Sequence, residues 1–298
     1  MMAPLDVATL QKKVRRIEII SNRLVSERVA GEYHSIFKGQ GIEFEEVRPY
    51  VPGDEIRQID WNVTARAGEP YIKRFREERE QTVFFVVDLS GSSQFGTRGG
   101  FKSELAAELT AVLALAAVAN NDRTGLLLAT DRPELVVVPR KGRRHALRIV
   151  RDVLAFEPAG RGTDLAGALD HLRHVIHRRA VVFLISDFLA EDYEQALSAV
   201  GRRHDVIALH IQDPLEFELP RAGLIELIDG ETGEAMVIDT SDPRLRQTFA
   251  DQAGQRLQTL RETCRRHEID LIELRTGRPY ELELFQFFRR RARRLARG

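Results

Sequence analysis

Two apolar runs that each lead into an aspartate constrain the fold of this chain more than any other feature. They are TVFFVVDLS (82–90) and AVVFLISDF (180–188). Both runs are apolar at successive positions, as expected of central strands that helices cover on both faces. From residue 81 onward such short runs alternate with longer helical segments, and this alternation is typical of a parallel α/β architecture.

The remaining segments of this region fit the same pattern. Helices are predicted at about 101–120, 143–154, 164–177 and 191–203, and from the Ser241-Asp242-Pro243 cap signal to about 267. Further strands are predicted at 123–130, 134–139, 205–211 and 269–276, one of the first two being an antiparallel edge strand, and a peripheral β-hairpin at 224–239. The sequence therefore predicts an α/β fold: a doubly wound, mostly parallel sheet of about six strands with helices on both faces.

The first 80 residues lack this alternation. We expect a basic amphipathic helix at about 9–28 and then a charged, irregular or β segment, so that residues 1–80 pack on a main domain spanning 81–298. Acidic and basic residues surround the single tryptophan: Asp54, Arg57, Asp60 and Arg66 lie near Trp61. We interpret these residues as a buried ion-pair and stacking cluster. The alternative is a recognition surface, because Arg and Trp are common interface anchors.

Composition excludes several classes of protein. The 45 Lys and Arg residues balance 45 Asp and Glu residues, so net charge points to no particular partner. A single cysteine, Cys264, excludes an intrachain disulfide framework and a CxxC motif. The longest apolar stretch, 111–119, is far shorter than the roughly 20 residues of a membrane helix, and the amino terminus does not resemble a secretory signal. We therefore expect a cytoplasmic protein without a membrane span.

Oxygen-bearing side chains follow the predicted strands where ligands bind in α/β sheets. Asp88, Ser90 and Ser92 form an Asp-x-Ser-x-Ser pattern after the first central strand, and Asp187 follows the second. Thr163 opens a helix after a glycine-rich loop, and all three segments are expected at the carboxyl edge of the sheet. Two carboxylates and three hydroxyls are hard oxygen ligands, which suit Mg²⁺ or Mn²⁺ and not zinc. The alternative is structural: turn-forming serines, a helix cap and an incidental loop acid.

These five residues resemble the metal-ion-dependent adhesion site of von Willebrand factor type A domains. The resemblance covers roughly residues 81–276 and implies a protein-binding domain whose cation is completed by an Asp or Glu of the partner. Upstream, the segments PGDEIRQIDW (52–61), TAR (64–66) and PYIK (70–73) resemble the bacterial domain-of-unknown-function family fifty-eight. That resemblance implies an association with MoxR-type AAA+ ATPases.

The predicted function is a non-enzymatic, magnesium-dependent interaction module, an adaptor or co-chaperone of a MoxR-type AAA+ ATPase in assembly or maturation of other proteins. The alternative is a metal-dependent hydrolase or phosphoryl-transfer enzyme using the same carboxylates, although Ser90 stands where an aspartyl-nucleophile phosphatase needs a second acid. The arginine-rich tail, Arg289–Arg297, is expected to be a solvated helix end, with nucleic-acid binding as a less favoured alternative.

Overall fold

Contacts between residues divide the chain into two units. One combines residues 1–36 with 82–298, and the other consists of residues 37–81. The computed structural model describes residues 7–25, 33, 36, 41–78, 80–97 and 100–295. The larger unit begins with helix α1 (Val7–Leu24), which the sequence pattern groups with the residues up to 80.

The smaller unit is an antiparallel pair of strands with a short helix between them. Its elements are β1 (Gly41–Pro49), α2 (Trp61–Ala67) and β2 (Tyr71–Glu78). The β1–β2 pairing shifts register between Phe44 and Glu46, which marks a bulge. Asp60 caps the amino terminus of helix α2, and its side chain accepts hydrogen bonds from the amides of Asn62 and Val63. Gly68, in the left-handed conformation, caps the carboxyl terminus of the helix.

The predicted buried cluster around Trp61 is wrong. The Trp61 side chain is 68% exposed. Asp54 pairs with Arg48 at 2.7 Å, and Asp60 caps α2 and lies 3.2 Å from Lys73. The two acidic residues therefore bind cations outside the predicted set, and the indole is exposed to solvent.

The larger unit continues with an alternation of strands and helices. In chain order its elements are β3 (Thr82–Asp88), β4 (Gly96–Thr97), β5 (Gly100–Phe101), α3 (Lys102–Ala119), β6 (Arg123–Ala129), β7 (Pro133–Arg140), α4 (Arg143–Ala155), α5 (Leu165–Val175), β8 (Val181–Ser186), α6 (Glu194–Gly201), β9 (Asp205–Gln212), β10 (Leu224–Ile228), β11 (Ala235–Asp239), α7 (Pro243–Arg266), β12 (Asp270–Arg275) and α8 (Glu281–Leu295). Within the described ranges, no helix is both long and apolar enough to cross a membrane.

A six-stranded sheet in the order β12-β9-β8-β3-β6-β7 forms the centre of this unit. All neighbouring strands are parallel except β7, which pairs antiparallel with β6 at the edge. This arrangement confirms the predicted fold class, including the antiparallel edge strand. Strands β10 and β11 form the predicted hairpin as a separate two-stranded sheet.

Helices cover both faces of the central sheet. Alternate residues of β3, such as Phe84 and Val86, pack in one core with residues of α5, α6 and α7. The intervening residues are equally buried on the opposite face, where α3 contacts β3 and β9 and also packs against α1 and α4. Burial on both faces explains why β3 and β8 are apolar at nearly every position.

The arginine-rich tail is partly structural. Arg291 on α8 is only 8% exposed and pairs with Asp205 and with Asp270, the latter at 2.7 Å. Arg294 bonds to both oxygens of Asp270 at 2.9 Å. These contacts attach α8 to the amino-terminal ends of β9 and β12. Arg291 is therefore buried, against the prediction, whereas Arg294 remains 63% exposed. Arg297 lies outside the described residues.

Candidate metal centre

Asp88, the last residue of β3, is the centre of a buried hydrogen-bond group. One carboxylate oxygen accepts from the Ser90 amide at 2.9 Å, and the other accepts from the Ser186 hydroxyl at 2.7 Å. The register explains the second contact, because Val87 of β3 pairs with Ile185 of β8. The Ser90 and Ser92 hydroxyl oxygens lie 3.0 Å apart. Three predicted site residues are thus linked, and Ser186 joins them.

Thr163 lies in a loop that is tied to the same edge of the sheet. The Gly91 amide donates to the Arg161 carbonyl at 2.7 Å, and the Asp164 amide donates to the Thr130 carbonyl at 2.9 Å. The second bond attaches the loop to the end of β6, the neighbour of β3. These bonds bring the Thr163 loop beside the Ser90–Ser92 turn, with Thr163 half-buried.

Asp187 is buried and binds a buried lysine. Its carboxylate accepts from Lys102 at 2.5 Å, and its other oxygen accepts from the Leu189 amide at 3.1 Å. Lys102 is 2% exposed and also pairs with Glu216. Burial acts to lower the pKa of Lys102, but the charges of Asp187 and Glu216 outweigh it and raise that pKa. The lysine is therefore a fixed cation.

The charge of Asp187 acts on Asp88. Burial, followed by the charge of Asp187, raises the pKa of Asp88 to about 6. Asp88, Lys102, Ser186 and Asp187 line one small cavity. Glu216 pairs with Lys102, so the three carboxylates Asp88, Asp187 and Glu216 and the one ammonium sum to a formal charge of minus two. That charge matches a divalent cation.

The donor set fits Mg²⁺ or Mn²⁺. The residues that would hold the ion are Asp88, Asp187 and the hydroxyls of Ser90, Ser92 and Thr163, all of them hard oxygen donors. Among the described residues, no group of three or more His, Cys, Asp or Glu side chains is placed to hold a metal. A cation at this edge would therefore depend on the serine and threonine hydroxyls.

The tip of the β10–β11 hairpin also contacts this edge. Glu231 accepts a hydrogen bond from the Thr163 hydroxyl at 2.5 Å. The backbones of Gly230 and Gly91 are so close that a Cβ added to Gly91 would lie 2.0 Å from the Gly230 carbonyl oxygen. The sequence predicts a peripheral hairpin. Its strands are separate from the central sheet, but its tip lies against two segments of the candidate site.

Sequence reasoning missed four residues around this edge: Lys102, Ser186, Glu216 and Glu231. Ser186 was detectable, because it precedes Asp187 and a parallel β3–β8 pair places it beside Asp88. The other three carried no local signal. Lys102 is 85 residues from Asp187 and 114 from Glu216, and Thr163 is 68 residues from Glu231. Lys and Glu are also the commonest residues of solvated surfaces.

Fold and site together define a class: an α/β protein whose parallel sheet gathers an Asp-x-Ser-x-Ser loop, a threonine loop and a second aspartate at its carboxyl edge. More specifically, the chain belongs to the family described as "Protein of unknown function DUF58", whose model matches residues 46–259. This family match confirms the resemblance seen in the upstream segment.

Relatives from mycobacteria cover nearly the whole chain. Uncharacterized protein Rv1480 of Mycobacterium tuberculosis and Uncharacterized protein Mb1516 of Mycobacterium bovis are each 33% identical over 292 residues, covering 97% of this chain and 92% of the relative. Among solved structures, BatB from Bacteroides thetaiotaomicron is similar with a TM-score of 0.44 and 15% identity, covering 72% of this chain and 99% of that one. The SpRpn10 VWA domain is similar with a TM-score of 0.37 and 13% identity, covering 68% of this chain and 93% of that one. At such scores neither structure bears on function.

Proposed function

We propose that this protein is a magnesium-dependent or manganese-dependent protein-interaction module. The observation that carries the proposal is the linked group of Asp88, Ser90 and Ser92 beside Asp187, where Asp88, Asp187, Glu216 and Lys102 sum to a formal charge of minus two. Buried charge of this kind is costly unless a counterion balances it. A divalent cation is the counterion that these hard oxygens select.

In this proposal the chain's own residues bind and orient the ion. Asp88 and Asp187 supply the negative charge, and the hydroxyls of Ser90, Ser92 and Thr163 supply neutral oxygen donors. The ion contributes Lewis acidity toward an outside anion. Lys102 and Glu216 form a neutral pair that holds Asp187 in place. An Asp or Glu of a partner protein is the expected outside ligand.

The proposed partner is a MoxR-type AAA+ ATPase or its protein client, so that the module acts as an adaptor in assembly or maturation of other proteins. This choice follows from what the resemblance of the segments at 52–73 implies. Because such an ATPase consumes ATP, the cytoplasm is the expected compartment.

A non-catalytic role is favoured by the surroundings of Asp88. Both of its oxygens accept hydrogen bonds, one from an amide and one from a hydroxyl, and the residue two positions on is Ser90. An aspartyl-nucleophile phosphatase needs a second acid at that position, where this chain has a serine. We therefore treat the hydrolase as the alternative that a phosphatase assay would favour.

The test begins with direct cation binding. Calorimetric titration of Mg²⁺ and Mn²⁺ should show one site in the wild type and none in Asp88→Ala or in the Ser90→Ala/Ser92→Ala double variant. Asp251→Ala, at an exposed position on α7, is the matched control and should bind like the wild type. Circular dichroism of each variant checks that the fold is retained.

The second part tests the partner. The purified MoxR-type ATPase of the same organism should be captured by the immobilised wild type in Mg²⁺ and released by EDTA, with Asp88→Ala inactive. Capture that is unchanged in EDTA would contradict the proposed role of the cation. Magnesium-dependent hydrolysis of p-nitrophenyl phosphate that is lost in Asp88→Ala would instead favour the enzyme.

A further inference from the structure

The chain presents a carboxylate of its own at the place where a partner's acid is expected. Glu231, at the tip of the β10–β11 hairpin, lies 2.5 Å from the hydroxyl of Thr163, one of the five candidate ligands. It is half-buried, whereas Glu234, three residues further along the same loop, is exposed. Glu231 thus has the chemistry of the outside ligand and touches the group that would bind the ion.

Backbone packing fixes the hairpin tip against the site. A Cβ on Gly91 would lie 2.0 Å from the Gly230 carbonyl oxygen, and one on Gly230 would lie 2.7 Å from the Gly91 carbonyl oxygen. Only glycine at both positions allows this approach. The tip is also shaped locally, because the Asp229 carboxylate accepts from the amides of Glu231 and Thr232 at 2.8 and 2.9 Å. Glu231 is therefore presented to the site by two independent features.

We infer that Glu231 is an internal ligand of the cation and that an acidic side chain of the partner takes its place in the bound state. This inference rests on the proposed function. The structural basis is the Glu231–Thr163 contact together with the Gly91–Gly230 approach. In the resting protein the ion would be closed by the chain's own hairpin. A partner would have to displace the tip before its own carboxylate could bind.

The hairpin is built so that such displacement is possible. It forms a two-stranded sheet of its own, separate from the central sheet. Leu224, Ile228 and Val237 on it are 65–73% exposed, so little apolar burial holds it in place. Isolated two-stranded hairpins are marginally stable. The contacts at the tip therefore do much to keep Glu231 in place. Because Glu231 competes for the ion, it lowers the apparent affinity of the site for any outside carboxylate.

The test compares Glu231→Gln with Glu234→Gln, using Mn²⁺ as the probe. Water-proton relaxation reports how many water molecules the bound Mn²⁺ carries, and the same titration gives its affinity. If Glu231 is a ligand, E231Q should bind Mn²⁺ about tenfold more weakly, as expected when an intramolecular ligand of high effective concentration is lost. The Mn²⁺ bound to E231Q should also give a higher relaxation rate, because water replaces the carboxylate. E234Q should match the wild type in both measurements.

Acetate provides a second readout that does not depend on affinity for the ion. Added to Mn²⁺-loaded E231Q, it should lower the relaxation rate at concentrations about tenfold below those needed with the wild type, since the internal competitor is absent. Hydrogen exchange of the tip amides in the metal-free protein should be faster in E231Q than in E234Q.

The outcomes separate this inference from the proposed function. If the wild type binds Mn²⁺ and Asp88→Ala does not, but E231Q equals the wild type in affinity, relaxation and acetate response, then the cation site stands and Glu231 is not its ligand. If Mn²⁺ binding is absent from the wild type, or is the same in Asp88→Ala, the proposed function fails and the inference fails with it.

Discussion

Replacing Asp88 by asparagine is expected to stabilise the metal-free protein at neutral pH, although the substitution falls in the candidate metal centre. Burial and the charge of Asp187 raise the pKa of Asp88 from 3.8 to about 6. Since each pH unit between the folded and unfolded pKa is worth about 1.4 kcal/mol, the ionised carboxylate destabilises the metal-free fold by about 3 kcal/mol at pH 7. Asparagine is uncharged and avoids this cost.

The loss of one hydrogen bond offsets part of this gain in stability. An asparagine carbonyl at position 88 can still accept from the Ser90 amide, but its NH₂ group cannot accept from the Ser186 hydroxyl. Losing that acceptor costs about 1 kcal/mol. The expected net gain in the free energy of unfolding of D88N at pH 7 is therefore about 2 kcal/mol.

The gain has a defined pH dependence. The folded pKa of Asp88 lies above the unfolded one, so the folded state holds more protons between about pH 4 and pH 6. Wild-type stability contributed by this group therefore falls as pH rises through that window. Near pH 4 the penalty has largely gone, and D88N should then be no more stable than the wild type.

Urea unfolding followed by far-UV circular dichroism, on protein stripped of divalent cations, measures the difference at pH 4 and pH 7. Asp251→Asn, an exposed change of the same chemistry on α7, should stay within about 0.5 kcal/mol of the wild type at both values. A D88N protein that is less stable at pH 7, or whose difference from wild type is the same at both pH values, would refute the reasoning. Burial and the charge of Asp187 would then not raise the pKa of Asp88 as argued.

Four further substitutions test packing near the site and elsewhere, three of them by urea unfolding. Lys102→Met leaves the buried Asp187 and the half-buried Glu216 without their cation and should lower the free energy of unfolding by about 3–5 kcal/mol. Gly91→Ala would collide with the Gly230 carbonyl, so hydrogen exchange should become faster at the hairpin tip, and unchanged exchange would contradict the close approach. Arg291→Met removes the cation of a buried ion pair and should lower the free energy of unfolding by about 3 kcal/mol. No loss of stability would indicate that Arg291 is solvated, as the sequence predicts. Gly254→Ala, where a Cβ meets nothing within 4 Å in an exposed part of α7, should add about 1 kcal/mol, and a loss would contradict that open space.

The central sheet could be predicted because burial on both faces leaves a strong mark on sequence. Strands β3 and β8 are buried at nearly every position and match the two apolar runs from which the prediction began. The smaller unit carried no such mark. Its charged residues have several possible partners within a few positions, and nothing local shows that Arg48 rather than Arg57 binds Asp54.

The residues of the candidate site likewise fall into those that the sequence could predict and those that it could not. Asp88, Ser90 and Ser92 could be grouped because one turn holds them, and Asp187 could be added because parallel strands end at a common edge. Lys102 and Glu231 are brought there by α3 and by the hairpin, whose placement depends on the whole fold. A residue whose role comes only from tertiary contact leaves no pattern at its own position.

Lys102, Glu216 and Glu231 change how the candidate cation site is expected to bind an outside carboxylate. Lys102 and Glu216 cancel in formal charge, so Asp88 and Asp187 leave minus two, which a divalent cation neutralises. Any further carboxylate, from Glu231 or from a partner, then binds a centre that has no net charge left to offer. Its attraction comes from the ion's open coordination position and not from long-range charge. Such a ligand is exchangeable, as a module that alternates between its own hairpin and a partner requires.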